Sequence, residues 1–164
     1  MTESITFWIH MVAAAAFVGP QLLLFLVVPA LRVLEPGARA QALRALTGRF
    51  GWLGGAAIVV LVLSGLSNLF QRMDDIEDLL DPGRRYLWIF LTKMLLLALA
   101  VALTALHALV LGPRQLRAME QGAGEGQPWR RATMGVSALV LLLSLAILFA
   151  AALLANHRFS LQPV

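Results

Sequence analysis

Four polar side chains lie within or at the ends of long apolar runs, where ionisable groups are rare and usually mark a site. They are His10, Asn68, Lys93 and His157. A neutral imidazole can bind a metal ion or a haem iron, and an ammonium can transfer a proton or balance an anion. We take His10 and His157 as candidate metal ligands, Lys93 as the candidate catalytic group, and all four as candidate cofactor-binding residues.

The chain contains no cysteine, which excludes disulfides, thiolate metal sites and cysteine nucleophiles. No hydrolase triad, phosphate-binding loop, zinc HExxH motif or nucleotide fingerprint is present either. A metal or redox site would therefore rely on imidazole, amine and thioether groups.

The elements that must position these residues are membrane helices. Of the 164 residues, 60% are hydrophobic and 13% charged, with a mean hydropathy of +0.81. Each of four apolar runs provides the roughly 20 residues that a helix needs to cross a bilayer, and none alternates like a barrel strand. These runs cover residues 5–31, 50–70, 86–111 and 134–155. The sequence predicts an all-α, up-down-up-down four-helix bundle forming one domain over residues 1–164.

The arginines predict the orientation of the bundle. The first and third connections carry eight of them, and the opposite side carries four. Positive residues are enriched on the cytoplasmic side, so both termini are expected outside, in a bacterial inner membrane. The same placement explains the formal charge of +4 without nucleic-acid binding. The eight are Arg32, Arg39, Arg44, Arg49, Arg114, Arg117, Arg130 and Arg131.

Helix geometry brings the first and third helices into register. His10 and Lys93 both fall roughly 8 to 10 Å below the outer rim, at 1.5 Å per residue. On the third helix, Lys93, Thr104 and His107 share one stripe, which is expected to face the bundle. Asn68 and His157 return to the outer rim on the second and fourth helices.

Each candidate also has a purely structural interpretation. Lys93 can extend its ammonium to the interface, and His10 can hydrogen-bond Asn68 or a backbone carbonyl. His157 can anchor the interface, and His107 can act as a polar cap. The glycines of "GWLGG" and "SGLSN" are expected to be helix-packing notches. The acidic stretch "MDDIEDLLDPG" is either a solvated surface helix or a cation funnel.

Three segments resemble the membrane domain of the copper resistance protein D (CopD) family. They are "WIHMVAAAAFVGPQLLLFLVVPALR", "RFGWLGGAAIVVLVLSGLSNL" and "TKMLLLALAVALTALHALVLGPRQLR". The resemblance rests on His10, Pro29, Arg32, the Ser-Gly-Leu at 64–66 and Lys93. It implies copper handling in a membrane bundle. The layout is also similar to the HemJ protoporphyrinogen oxidases, which implies haem b binding through His10 and Lys93.

Three functions remain open at this stage. In the first, haem b or a related redox group binds near His10 and Lys93, with His157 as a second ligand. In the second, copper is bound by His10 together with a methionine, either Met11, Met73 or Met94. In the third, the chain is an accessory subunit of a respiratory or photosynthetic complex, or a homo-oligomer, within the lipid bilayer.

Overall fold

The structure, a computed structural model, describes residues 2–71, 77, 80–120 and 127–164, without the side chains of residues 2, 119, 120, 127, 128 and 157. The described residues form helices, with no strand beyond an isolated bridge between Arg84 and Pro163. Helix α1 spans Thr2–Ala30 and continues into a 3-10 turn at Leu31–Val33, and α2 spans Pro36–Phe70. Helix α3 spans Arg85–Leu106, followed by a π-helical turn at His107–Leu111. Helices α4, α5 and α6 span Gly112–Glu120, Gln127–Ala155 and His157–Ser160.

Four helical segments are long and apolar enough to cross a membrane: Glu3–Val33, Pro36–Phe70, Arg85–Ala118 and Trp129–Ala155. The predicted all-α membrane fold is confirmed, and the chain is a multi-pass membrane protein. The helices extend beyond the apolar runs, most of all α2, which begins at Pro36 rather than near residue 50. Alanine, leucine and arginine favour helix, and proline suits the first helical position, so the helix continues past the hydrocarbon boundary.

Packing is concentrated in two helix pairs, α1 with α2 and α3 with α5, and α1 also contacts α5. Small side chains dominate the buried positions, which lets the helix backbones approach closely. Many of the large apolar side chains are exposed at the surface of the chain, where lipid can cover them. The buried small residues are Ala13, Ala57, Ser64, Ala100, Ser144, Ala150 and Ser160.

The third membrane helix is not α-helical to its end. The N–H of Gly112 donates to the carbonyl of His107, one residue further back than in an α-helix. Pro113 follows, and a proline can neither donate to the ladder nor tolerate the carbonyl four residues before it. The wider π-turn relieves that conflict, and α4 then continues the helix beyond it.

The end of the chain packs against the start of α3. Val164 N donates to Gly83 O (3.0 Å), and Arg85 N donates to Gln162 O (3.1 Å). The Arg85 guanidinium also lies 5.0 Å from the centre of the Phe159 ring. Tyr86 and Leu154 form a buried contact beneath this segment. The start of α3 and the end of α5 are thereby joined at one end of the bundle.

Candidate functional site

The His10 side chain lies against α2, where Ser64 and Gly65 face it. His10 Nδ1 is 2.9 Å from Ser64 Oγ. A Cβ added to Gly65 would lie 3.3 Å from His10 Cε1 and 3.7 Å from Nδ1. The imidazole thus occupies a space that any residue larger than glycine would narrow.

The hydrogen bonding of Ser64 determines which ring nitrogen carries the proton. Ser64 Oγ is 2.6 Å from Val60 O, so its only proton is donated to that carbonyl. The same oxygen then accepts a hydrogen bond from the ring, which assigns the proton to His10 Nδ1. In this neutral tautomer Nε2 keeps its lone pair and can bind a metal ion.

The next helical turn toward the rim holds a second polar contact between α1 and α2. Thr6 Oγ1 donates to Gln71 Oε1 (3.2 Å), and Gln71 Nε2 donates to Ser67 Oγ (3.2 Å). Together with the pair of His10 and Ser64, these groups form a polar seam along one helix interface. Side-chain hydrogen bonds of this kind hold membrane helices in a defined register.

Lys93 is half-buried on α3. The buried Ala100 lies on the same stripe, and Thr104 Oγ1 donates back to Ala100 O (2.7 Å). The stripe therefore faces the bundle, as predicted.

The other candidate residues are less closely associated with His10. Asn68 is half-buried one turn from Ser64, but no hydrogen bond joins it to His10 among the described residues. In the structural interpretation, His10 was to hydrogen-bond Asn68 or a backbone carbonyl, and the side chain it contacts is Ser64 instead of Asn68. The His157 side chain lies outside the described part of the chain. Most of the acidic stretch, including Met73, lies outside it as well.

Two further polar pairs lie deeper in the bundle. Ser144, which is 2% exposed, has its Oγ 3.3 Å from Gln21 Oε1, and this contact links α5 to α1. His107 Nδ1 lies 3.3 Å from Ser137 Oγ on α5. Both pairs join helices across an interface and are separated along the bundle from His10, as the sequence predicted for His107.

The expected glycine notches are only partly confirmed. Gly65 of "SGLSN" receives the His10 ring. At Gly51, Gly54 and Gly55 of "GWLGG", an added Cβ would meet nothing within 4 Å in the described structure, so the expectation is wrong there. These glycines lie on a part of α2 where no neighbouring helix comes close enough to require them.

Sequence reasoning missed the role of Ser64. The residue was part of the Ser-Gly-Leu pattern that supports the family resemblance, and the pattern itself was the available signal. Its function as the partner of His10 depends on how α1 and α2 are rotated against each other, which the pattern does not contain.

Comparison with known protein families identifies the family of the chain. A model described as copper resistance protein D, CopD, matches residues 44–155, about two thirds of the chain. The chain belongs to the CopD family. The matched region contains Ser64, Gly65 and Lys93 and begins after the helix that carries His10. Comparisons with curated proteins and with solved structures found no match.

Membership in the CopD family indicates a copper-resistance-related membrane protein. Among the described residues, no group of three or more His, Cys, Asp or Glu side chains is arranged to hold a metal ion. Copper does not require such a cluster, because Cu(I) also accepts thioether sulfur. Of the methionines considered from the sequence, Met94 is half-buried on α3, whereas Met11 is 50% exposed.

Proposed function

We propose that this CopD-family protein binds copper in the outer half of its membrane bundle, with His10 Nε2 as the principal ligand. The observation that carries the proposal is the hydrogen bond from His10 Nδ1 to Ser64. A ligating histidine usually donates its other ring N–H to a fixed acceptor, which sets the tautomer and the direction of the lone pair. Ser64 provides that acceptor.

The proposed ion is Cu(I), and Met94 is the proposed second ligand. Imidazole nitrogen and thioether sulfur suit Cu(I), whereas Cu(II) and zinc favour larger sets of nitrogen, oxygen or thiolate ligands. Met11 follows His10 directly on α1, so helical geometry turns it about 100° away from the imidazole. Met94 is half-buried on α3, so it is the less exposed of the two described methionines.

Haem b is a second candidate, and Lys93 is the observation that favours it. A nearby ammonium repels a copper cation but stabilises an anionic group such as a haem propionate. In that case His10 Nε2 would be an axial ligand, His157 a candidate second one, and Lys93 would pair with a propionate or transfer a proton. A bound haem would supply one-electron redox chemistry. Assembly into a homo-oligomer or a larger complex is compatible with either ligand.

Metal analysis and optical spectroscopy of one preparation separate the two candidates. The protein is purified from membranes in mild detergent and titrated anaerobically with Cu(I) against a chromophoric chelator. We expect one copper ion per chain, lost in His10→Ala and kept in His107→Ala. The second variant is a matched control, because His107 is also half-buried and also contacts a serine.

Two results would contradict the copper proposal. Equal copper binding by the wild-type protein and His10→Ala would exclude His10 as the principal copper ligand. A Soret band that disappears in His10→Ala, without copper binding by the wild-type protein, would replace copper with haem at the same residue.

A further inference from the structure

A groove of about 300 Å³ lies at the opposite end of the bundle from His10. It is formed where α4 packs against the first part of α2, and its lining consists of Arg44, Pro113, Leu116 and Arg117. Arg44 precedes Ser64 by 20 residues on the same helix, which corresponds to roughly 30 Å along its axis. The groove is therefore separate from the proposed copper site.

The lining combines two kinds of surface. Arg44 and Arg117 contribute guanidinium groups from two different helices, and Pro113 and Leu116 contribute apolar surface between them. Among the side chains that the structure describes, the lining includes no carboxylate. The combination suits a molecule with an anionic head and an apolar body, and the volume lies at the lower end of the range for small-molecule sites, about 300 to 1,000 Å³.

The use of arginine, and not lysine, at this end of the bundle also favours an anionic ligand. Either lysine or arginine satisfies the positive-inside pattern. This rim nevertheless has only arginines, since Lys93 is the single lysine of the chain and lies elsewhere. A guanidinium binds a phosphate through two parallel hydrogen bonds, which an ammonium cannot do.

A tryptophan in contact with α4 indicates the depth of the groove in the membrane. The Arg114 guanidinium on α4 lies 5.1 Å from the centre of the Trp129 ring, at the start of the last membrane segment. Tryptophan is enriched at the level of the lipid headgroups. Helix α4 and the groove it lines therefore lie where lipid phosphates are found.

We propose that this groove binds the phosphate headgroup of an anionic phospholipid, with Arg44 and Arg117 contacting the phosphate. Pro113 and Leu116 pack against the glycerol and the upper acyl chain. Basic pockets between membrane helices are known to select anionic lipids through this combination of charge and apolar surface. A bound lipid would tie α2 to α4 at the end of the bundle where the π-turn interrupts the third membrane helix.

The test measures lipid retained by the full chain. The protein is reconstituted in phosphatidylcholine with about 20 mol% phosphatidylglycerol, re-extracted in mild detergent and analysed by native mass spectrometry. The double variant Arg44→Gln and Arg117→Gln removes the groove cations. The control, Arg32→Gln with Arg49→Gln, removes the same charge from two exposed arginines of the same rim outside the groove lining.

We expect the groove variant to retain at least about fivefold less phosphatidylglycerol than the wild-type protein, and the control to stay within about twofold. Equal loss in both variants would overturn the proposal, because it would indicate a general surface charge effect. Retention in both variants would overturn it too. If the double variant does not fold, Arg117→Gln alone, at an exposed position, serves in its place.

A competition arm separates lipid from free anion. Inorganic phosphate at millimolar concentration is added to the lipid-bound protein. We expect the lipid to remain bound, because the apolar contacts belong to the lipid alone. Complete displacement by inorganic phosphate would overturn the lipid assignment in favour of a simple anion site.

Discussion

Replacing Ser64 with alanine tests the central feature of the site, because it removes the side chain assigned to accept the His10 Nδ1 proton. The imidazole Nδ1, now 2.9 Å from Ser64 Oγ, would lose this acceptor. A half-buried donor left without a partner costs about 1 to 3 kcal/mol in general, and membrane side-chain hydrogen bonds average about 0.6 kcal/mol. We therefore expect Ser64→Ala to lower the free energy of unfolding by about 1 kcal/mol.

We expect Ser64→Ala to weaken copper affinity more than it lowers the free energy of unfolding. Without Ser64 the ring can rotate or change tautomer, so Nε2 no longer points its lone pair in one direction. Loss of such an outer partner typically weakens metal binding about 10- to 100-fold. The assay is the Cu(I) competition titration, with thermal unfolding in the same detergent measured alongside it.

Ser144→Ala is the matched control. Ser144 is also a buried serine that donates within its own helix and joins two helices, but its partner is Gln21 rather than His10. We expect a similar loss of stability with unchanged copper affinity. If both variants bound copper as the wild-type protein does, or if both weakened it equally, the assignment of Ser64 as the positioning residue of His10 would be refuted.

Three further predictions concern the same bundle. Gly65→Ala should weaken copper binding and lower the unfolding free energy by about 1 kcal/mol, since the new methyl group crowds the His10 ring; Gly54→Ala, which meets open space, should change neither, and equal effects would contradict the packing account. Lys93→Leu should raise Cu(I) affinity up to about tenfold by removing a repelling charge, whereas loss of a Soret band in this variant would support haem. Both termini should lie outside, so alkaline phosphatase fused to the C-terminus should be active, and an inactive fusion with a fluorescent cytoplasmic reporter would reverse the orientation.

The region that matches the CopD family and the proposed copper ligand lie in different parts of the chain. The matched region begins in α2 and includes Ser64, Gly65 and Lys93. The imidazole comes from α1, outside that region. The proposed site therefore depends on the packing of α1 onto α2, which makes the contact between His10 and Ser64 the most direct place to test it.

The sequence by itself determined the membrane class, the four helical segments and the bundle-facing stripe with Lys93, Thr104 and His107. These features follow from local properties, because apolarity sets which segments enter lipid and a helix fixes the angle between successive residues. Residue counting also predicts that His10 lies near the level of Lys93.

Only the tertiary structure decided which groups meet. It paired His10 with Ser64 instead of Asn68, joined Gln21 to Ser144, and placed Gly65 rather than the glycines of "GWLGG" against a neighbour. One residue along a helix turns a side chain by about 100°, so a contact depends on the rotation and sliding of two helices against each other. Those two variables are set by the summed packing of many small residues, and no single motif contains them.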